Sequence, residues 1–158
     1  MDRRYIAGFF DGEGCVYISK HRRNEKSKYW TPKQNQYDVQ IRVTISNTNK
    51  EVLYGIQEIY GGSIQSSKQR ANRTECFTLH LAALKALRLL KHIKRYAIVR
   101  RNRIEKAIWL QEYITKNKRT FIKGKRGSHV SKEEWMKRHR LLEMCRDDDV
   151  RIEDIVGA

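Results

Sequence analysis

The chain has little proline, little cysteine and no long apolar run. One proline and three cysteines occur in 158 residues, and no apolar stretch approaches the length of a membrane span. The three cysteines (Cys15, Cys76 and Cys145) do not have the spacing of a zinc site, and the five histidines do not have it either. Scattered cysteines, odd in number, favour a reducing compartment over a disulfide scaffold. The apolar stretch before Asp11 is too short for a secretory signal, so we expect an intracellular protein without a membrane partner.

Acidic residues are scarce in the middle of the chain. Lysine and arginine total 34 against 18 acids, a net charge of +16, and residues 59–104 hold one acid, Glu75, against eleven basic residues. A surplus of this size repels itself unless a polyanion offsets it. Nucleic acid is therefore the favoured partner, ahead of an anionic membrane. Composition alone leaves open a basic ribosome-associated protein.

The spacing of apolar residues predicts the order of the structural elements. Asp2 is placed to cap a first helix, and Thr48 to Glu51 form a capping box for a second. The order predicts an α/β (α+β) fold with helices on one face of a four-stranded antiparallel sheet. We expect helices at 3–12, 48–60, 83–93 and 97–116, and strands at 15–22, 37–46, 63–68 and 74–82.

The composition changes after residue 117. A basic stretch with two glycines follows, and a second capping box at 131–134 predicts an extra C-terminal helix to about residue 145. We therefore expect a core at 1–117 and a basic extension at 118–158, which either packs in the same domain or is appended to it.

Each predicted strand has one apolar and one hydrogen-bonding face. Residues 37–46 alternate most clearly. Their polar face is not uniformly charged, which suits the reading of base edges, although an ordinary solvated sheet face would have the same pattern. A concave sheet of this kind can saddle a duplex. The candidate contacts, on these faces and their basic flanks, are Tyr17, Ser19, His21, Arg23, Gln40, Arg42, Thr44, Lys50, Ser63, Gln65, Ser67, Lys68, Arg70, Arg73, Thr78 and His80.

The most informative segment is the N-terminal run that ends at Gly14. Gly8 and Gly12 lie four residues apart, so they share one face of the predicted helix and would let a second helix backbone approach closely. Glu13 then stands between two glycines. Two such helices would bring two carboxylates together, and paired carboxylates bind hard divalent cations. A helix C-cap is the alternative interpretation, and the P-loop, EF-hand and dinucleotide-binding patterns do not fit.

The segment Ile6-Ala7-Gly8-Phe9-Phe10-Asp11-Gly12-Glu13-Gly14 resembles the motif of the LAGLIDADG homing endonucleases, and one copy is present. In that family single-copy chains act as homodimers, and the family fold is αββαββα, in agreement with the element order above. The resemblance implies an intron-encoded endonuclease that makes Mg²⁺- (or Mn²⁺-) dependent double-strand DNA breaks with 3′ overhangs at a long, nearly palindromic site. Its expected location is the cytoplasm or nucleoid of a prokaryote, or an organelle (mitochondrion or chloroplast).

The resemblance also implies roles for individual residues. Glu13, together with the Gly12 carbonyl, would bind the metal, and it stands where many relatives carry aspartate. Arg100 falls where a lysine is usual, and it would stabilise the transition state without transferring a proton. Ser46 or Asn47, where the second strand ends, would orient water. The expected dimer contacts are Ile6, Gly8, Phe9 and Gly12.

Other interpretations of these residues remain open. Arg100 could clamp a phosphate, and Ser46 could cap a helix. The alternative function is a non-catalytic nucleic-acid binder, such as a maturase that binds intron RNA, because a usual lysine is replaced by arginine and the C-terminal region is basic. Glu13 argues against that alternative, since a pure binder would not need a carboxylate beside a polyanion.

Overall fold

The computed structural model describes residues 1–22, 37–67, 74–117 and 132–157. It confirms the predicted mixed α/β fold with a four-stranded antiparallel sheet. In chain order the elements are α1 (Arg3–Glu13), β1 (Gly14–Arg22), β2 (Tyr37–Asn47), α2 (Lys50–Tyr60), β3 (Ser63–Ser67), β4 (Cys76–Ala82), α3 (Ala83–Ile93), α4 (Arg101–Lys116), α5 (Lys132–Arg146) and α6 (Ile152–Val156).

The sheet has the strand order β1-β2-β4-β3, and every neighbouring pair is antiparallel. Val16 lies opposite Val43, and Ile45 lies opposite Leu79. Because side chains alternate along a strand, these residues share one face. All four are almost completely buried. The two-residue period seen in the sequence is therefore the pattern of a sheet with one covered face.

The helices cover that buried face and supply the rest of the core. Phe10 from α1, Leu53 from α2, Leu90 from α3 and Ile104 from α4 are each fully buried. Their helical spacing puts the apolar residues of each helix on the side that faces the sheet. None of the described helices lies on the opposite face of the sheet, which carries the polar residues of the strands.

Two helix starts differ from the sequence prediction. The α2 helix is capped by Asn49, whose side chain accepts from the backbone N–H of Glu51, and not by Thr48. The α4 helix begins at Arg101 and not at Ala97. Residues 98–100 stay outside the helix because their backbone N–H groups donate to the carboxylate of Asp11 in α1.

The described part of the C-terminal extension packs against the sheet and α4. Leu141, Leu142 and Cys145 of α5 are buried in the same core cluster as the sheet residues. Arg146 donates from Nε to the carbonyl of Ile18 at 2.9 Å, which covers part of the free edge of β1. These contacts favour a single folding unit, although the proposed boundary at 117/118 stays a prediction.

No helix within the described ranges is both long enough and apolar enough to cross a bilayer.

Candidate active site and nucleic-acid interface

The α1 helix has one face in the core and one face exposed. Asp2 caps its start, accepting from the backbone N–H of Arg4 at 2.6 Å. Ile6 and Phe10 are fully buried against the sheet. The side chain of Ile6 is therefore enclosed by its own protomer, and its expected dimer contact stays a prediction. The exposed face carries Gly8 and Gly12 instead.

The three glycines of the motif have different surroundings. A methyl group on Gly14 would lie 2.2 Å from the ring of Phe10 and 2.6 Å from its carbonyl oxygen, so this position needs glycine for the tight step from α1 into β1. A methyl group on Gly8 or Gly12 would meet nothing within 4 Å. The helix C-cap interpretation is thus correct for Gly14, and nothing in the described protomer accounts for the other two.

An exposed apolar surface surrounds these glycines. The rings of Tyr5 and Phe9 stack with their centroids 6.1 Å apart, and Tyr5 is 50% exposed. Ile98 and Val99 are 81% and 77% exposed, and their backbone is hydrogen-bonded to α1. Large aliphatic side chains exposed to this degree in neighbouring positions are typical of an interaction surface. Tyr5, Ile98 and Val99 were missed in the sequence, because their exposure depends on how α1 and residues 98–100 meet.

Glu13 is the last residue of α1, and its side chain is exposed. Within the described residues its carboxylate has no hydrogen-bond or ion-pair partner. Gly14 lies opposite Ile45 in the β1–β2 register, which brings Glu13 to the strand end that carries Ser46. An unpaired carboxylate beside a sheet end is available to bind a cation.

Ser46 lies on the polar face of the sheet and is half-buried. Its hydroxyl is 2.8 Å from the hydroxyl of Thr78, which is its register partner on β4. The structure therefore brings together two residues that the sequence suggested separately. Ser46 does not cap α2, since Asn49 does so, and the side chain of Asn47 accepts from the backbone N–H of Asn49.

Arg100 stands immediately before α4, and its backbone N–H donates to Asp11 at 3.3 Å. Its Nε atom is buried and has no hydrogen-bond partner among the described residues. A buried guanidinium nitrogen without an acceptor is uncommon. It marks Arg100 as a donor suited to an acceptor that the described part of the protomer does not supply.

Asp11 is the residue of this region that the sequence argument overlooked. It is half-buried, and both of its carboxylate oxygens accept backbone hydrogen bonds from residues 98–100. Glu13 is exposed and unpaired within the described chain. The sequence pointed to Asp11 only in that the motif contains two acids. In the structure the Asp11 carboxylate accepts backbone hydrogen bonds, and the Glu13 carboxylate remains free to bind a cation.

Most of the residues predicted to contact DNA lie on the polar face of the sheet, as their alternation predicted. Tyr17 lies opposite Arg42 and is 49% exposed. Thr44 lies opposite His80, and Gln65 lies opposite Thr78. The predicted residues placed on this face, away from the helices, are Tyr17, Ser19, Gln40, Arg42, Thr44, Ser63, Gln65, Ser67, Thr78 and His80.

The remaining predicted contacts lie elsewhere. Lys50 is exposed at the first position of α2, off the sheet face. Arg23, Lys68, Arg70 and Arg73 lie outside the described residues, as does the side chain of His21. The role of each of these residues in binding stays a prediction.

One protomer does not assemble a metal site from the residues that the structure describes. Within those ranges no group of three or more His, Cys, Asp or Glu side chains is placed to hold an ion. Because both oxygens of Asp11 accept backbone hydrogen bonds, the motif contributes one available carboxylate. A divalent ion bound to that carboxylate would complete its coordination with other oxygen ligands, such as water or substrate oxygens.

Comparison with known proteins gave a family match and several similar structures. Residues 6–120 match the family model described as LAGLIDADG endonuclease. A search of curated proteins found no significant match.

Three solved structures illustrate the likeness in fold. The homing endonuclease I-CvuI, in complex with the I-CreI target, is 16% identical over 98% of this chain and 90% of that chain, with a TM-score of 0.62. The archaeal intron-encoded homing endonuclease I-Vdi141I, complexed with DNA, is 16% identical over the same shares, with a TM-score of 0.63. The LAGLIDADG homing endonuclease I-GzeII, in complex with its DNA target, has a TM-score of 0.64 and 16% identity over 94% of this chain and 44% of that chain.

Proposed function

This chain belongs to the LAGLIDADG endonuclease family, and from that premise we propose that it acts as a homodimeric, site-specific homing endonuclease. It would cut both strands of DNA at a long, pseudo-palindromic target, leave 3′ overhangs and promote intron mobility. The observation that supports this proposal most directly is Glu13, which is exposed and unpaired within the described residues, at the tip of a helix on which a methyl group added to Gly8 or Gly12 would meet no described atom within 4 Å.

The homodimer is inferred from the outer face of α1. A glycine inside a helix costs about 0.5–1 kcal/mol relative to alanine, and the protomer contains no steric reason for Gly8 or Gly12. A second α1 helix that packs closely against this face would supply that reason, since small residues let two backbones approach. Tyr5, Phe9, Ile98 and Val99 would then be covered by the second copy.

The donor set of such a dimer fits a hard divalent cation. Each chain contributes one Glu13 carboxylate and, as the sequence suggested, the Gly12 carbonyl. Mg²⁺ prefers oxygen ligands and commonly keeps several waters or phosphate oxygens, so few protein ligands suffice. When bound, Mg²⁺ or Mn²⁺ would offset charge on the reacting phosphate and activate a water.

The other residues of the site have roles suited to phosphodiester cleavage. The guanidinium of Arg100 would donate to phosphate oxygens as negative charge develops there. The Ser46–Thr78 hydroxyl pair lies at the strand end next to Glu13 and would orient a water by hydrogen bonding. Neither role requires a group that titrates near neutrality.

The polar sheet face would bind the DNA. Its amide, hydroxyl and guanidinium groups can donate to and accept from base edges in the major groove. The basic residues around it would contact phosphates, so that affinity falls steeply as the salt concentration rises. A twofold dimer would present two such faces, which matches a target with two similar half-sites.

The test is cleavage of a pooled plasmid library of candidate intron-insertion sequences, with Mg²⁺ or with EDTA, followed by sequencing of the ends. We expect discrete 3′-overhang breaks that need the cation and disappear in Glu13→Gln, while specific binding is retained. Glu58→Gln, the same substitution at an exposed position of α2, is the matched control and should cut normally. Unimpaired cutting by Glu13→Gln would remove Glu13 from the site.

The same experiment examines the alternative function. Retention of particular sequences without any breaks, in the wild-type protein with Mg²⁺, would favour a non-catalytic binder. Binding of intron RNA in that case would point to a maturase.

A further inference from the structure

The Asp11 carboxylate binds a backbone segment that is distant in sequence. Its Oδ2 atom accepts from the N–H of Ile98 at 2.7 Å and from that of Val99 at 3.3 Å. Its Oδ1 atom accepts from the N–H of Arg100 at 3.3 Å. The carboxylate thus satisfies three consecutive backbone donors that precede α4.

Among the described residues, these donors make no other hydrogen bond. The preceding turn uses the Ile93 carbonyl for the N–H groups of Tyr96 and Ala97. The first backbone bond of α4 runs from Ile104 to the carbonyl of Arg100, and the Arg100 side chain makes no cap. Backbone N–H groups at a helix start need an acceptor. A negative charge is also favoured there by the helix dipole.

The segment held in this way is the one that contains Arg100. Two of its three side chains, Ile98 and Val99, are strongly exposed and cannot hold the segment by burial within the protomer. The hydrogen bonds to Asp11 therefore act directly on the position of the Arg100 backbone, beside the buried Ala97 that precedes the segment. Asp11 itself stands two residues before Glu13 on the same helix.

We propose that Asp11 is a positioning residue, which fixes Arg100 relative to Glu13 by binding the backbone of residues 98–100. The proposal rests on the proposed function, because it assumes that both residues act on one phosphate. A rigid link of this kind matters because displacement of a reacting or charge-stabilising group by about 1 Å can lower a rate by about 10²-fold.

The variant Asp11→Asn tests the link with little change in size. It keeps one carbonyl oxygen and replaces the other with an NH₂ group, which would face a backbone donor. We expect the single-turnover cleavage rate at saturating protein to fall by about 10- to 100-fold, while the Kd for target DNA and the dimer fraction stay unchanged. Asp2→Asn is the control. It makes the same substitution at the carboxylate that caps the start of α1, and this variant should cut at the wild-type rate.

A double-mutant cycle separates positioning from a general loss of structure. If Asp11 acts through Arg100, then Asp11→Asn should have little further effect on the cleavage rate of Arg100→Ala. Rate losses that multiply in the double variant would overturn the proposal, as would an Asp11→Asn protein that cuts at the wild-type rate. If the wild-type protein does not cut at all, the proposed function fails, and the positioning role falls with it.

Hydrogen exchange provides a measurement on the unmodified protein. The amides of Ile98 and Val99 should be protected despite their exposed side chains, because both donate to Asp11. Exchange of these two amides at the rate of an unstructured peptide would overturn the proposal even if Asp11→Asn does not fold.

Discussion

The substitution Gly8→Ala should stabilise the protomer and weaken the dimer. In the protomer an added methyl group meets no atom within 4 Å, so the helix gains about 0.5–1 kcal/mol when glycine is replaced. In the proposed dimer the same methyl group would enter a close contact between two helix backbones. Overpacking of this kind costs about 1–3 kcal/mol at each site.

Twofold symmetry doubles the cost at the interface. Two inserted methyl groups give about 2–6 kcal/mol. Since each 1.4 kcal/mol changes an equilibrium tenfold, the dimer dissociation constant should rise by about 30-fold or more. The gain in helix stability is the same in the free and paired protomer, and it cancels from this constant. Gly8→Leu should prevent dimerisation.

Sedimentation equilibrium measures the dissociation constant, and thermal unfolding of dilute protein measures the stability of the protomer. Gly55→Ala in α2 is the matched control, because Gly55 is also inside a helix and its added methyl would meet only the flexible end of the Met1 side chain, at 2.7 Å. It should raise protomer stability without changing dimerisation. An unchanged dissociation constant for Gly8→Ala, or an intact Gly8→Leu dimer, would refute the close approach of two α1 helices.

Two further predictions concern the helix α5. Leu142→Ala should lower the free energy of unfolding by about 2–5 kcal/mol in a single cooperative transition, because Leu142 is fully buried in the common core. Met136→Ala, at a side chain that is 55% exposed, should change it little, and a separate early transition of α5 in a denaturation curve would show an appended unit. Burial raises the pKa of the Cys145 thiol to about 11, so at pH 8 a thiol reagent should modify the half-buried Cys15 and Cys76 and leave Cys145 unreacted until the protein is unfolded. Rapid labelling of Cys145 in the native protein would contradict its burial.

Helix and strand positions were predictable because they depend on local periodicity. The alternation over residues 37–46 predicted both β2 and its two faces, and the structure confirms the strand and the faces of residues 39–46. The glycine-acid run predicted the end of α1 to within one residue. The same run predicted that the Glu13 carboxylate stands at the end of α1. This position is local, because the helix ends at Gly14, where a larger residue would clash with Phe10 of the same segment.

The start of α4 was not predictable from local sequence. Residues 97–100 have no helix-breaking residue, and the helix starts later because Asp11, 87 residues before Ile98, binds the N–H groups of residues 98–100. The N-cap of α2 was predicted at Thr48 and is Asn49 in the structure. Both residue types are good N-caps, so residue type alone could not decide between them.

The sequence alone determined the order of the elements from α1 to α5, the polar face of the sheet and the presence of Glu13 at a helix tip, whereas the short helix α6 was not predicted. These features follow from side-chain types at fixed spacing, and spacing is read along the chain. Tertiary structure decided that Ile6 is enclosed in the core, that Ser46 meets Thr78, and that Asp11 holds the segment of Arg100. Each of these depends on which elements pack together in three dimensions, because burial and hydrogen bonding between distant residues are set by that packing.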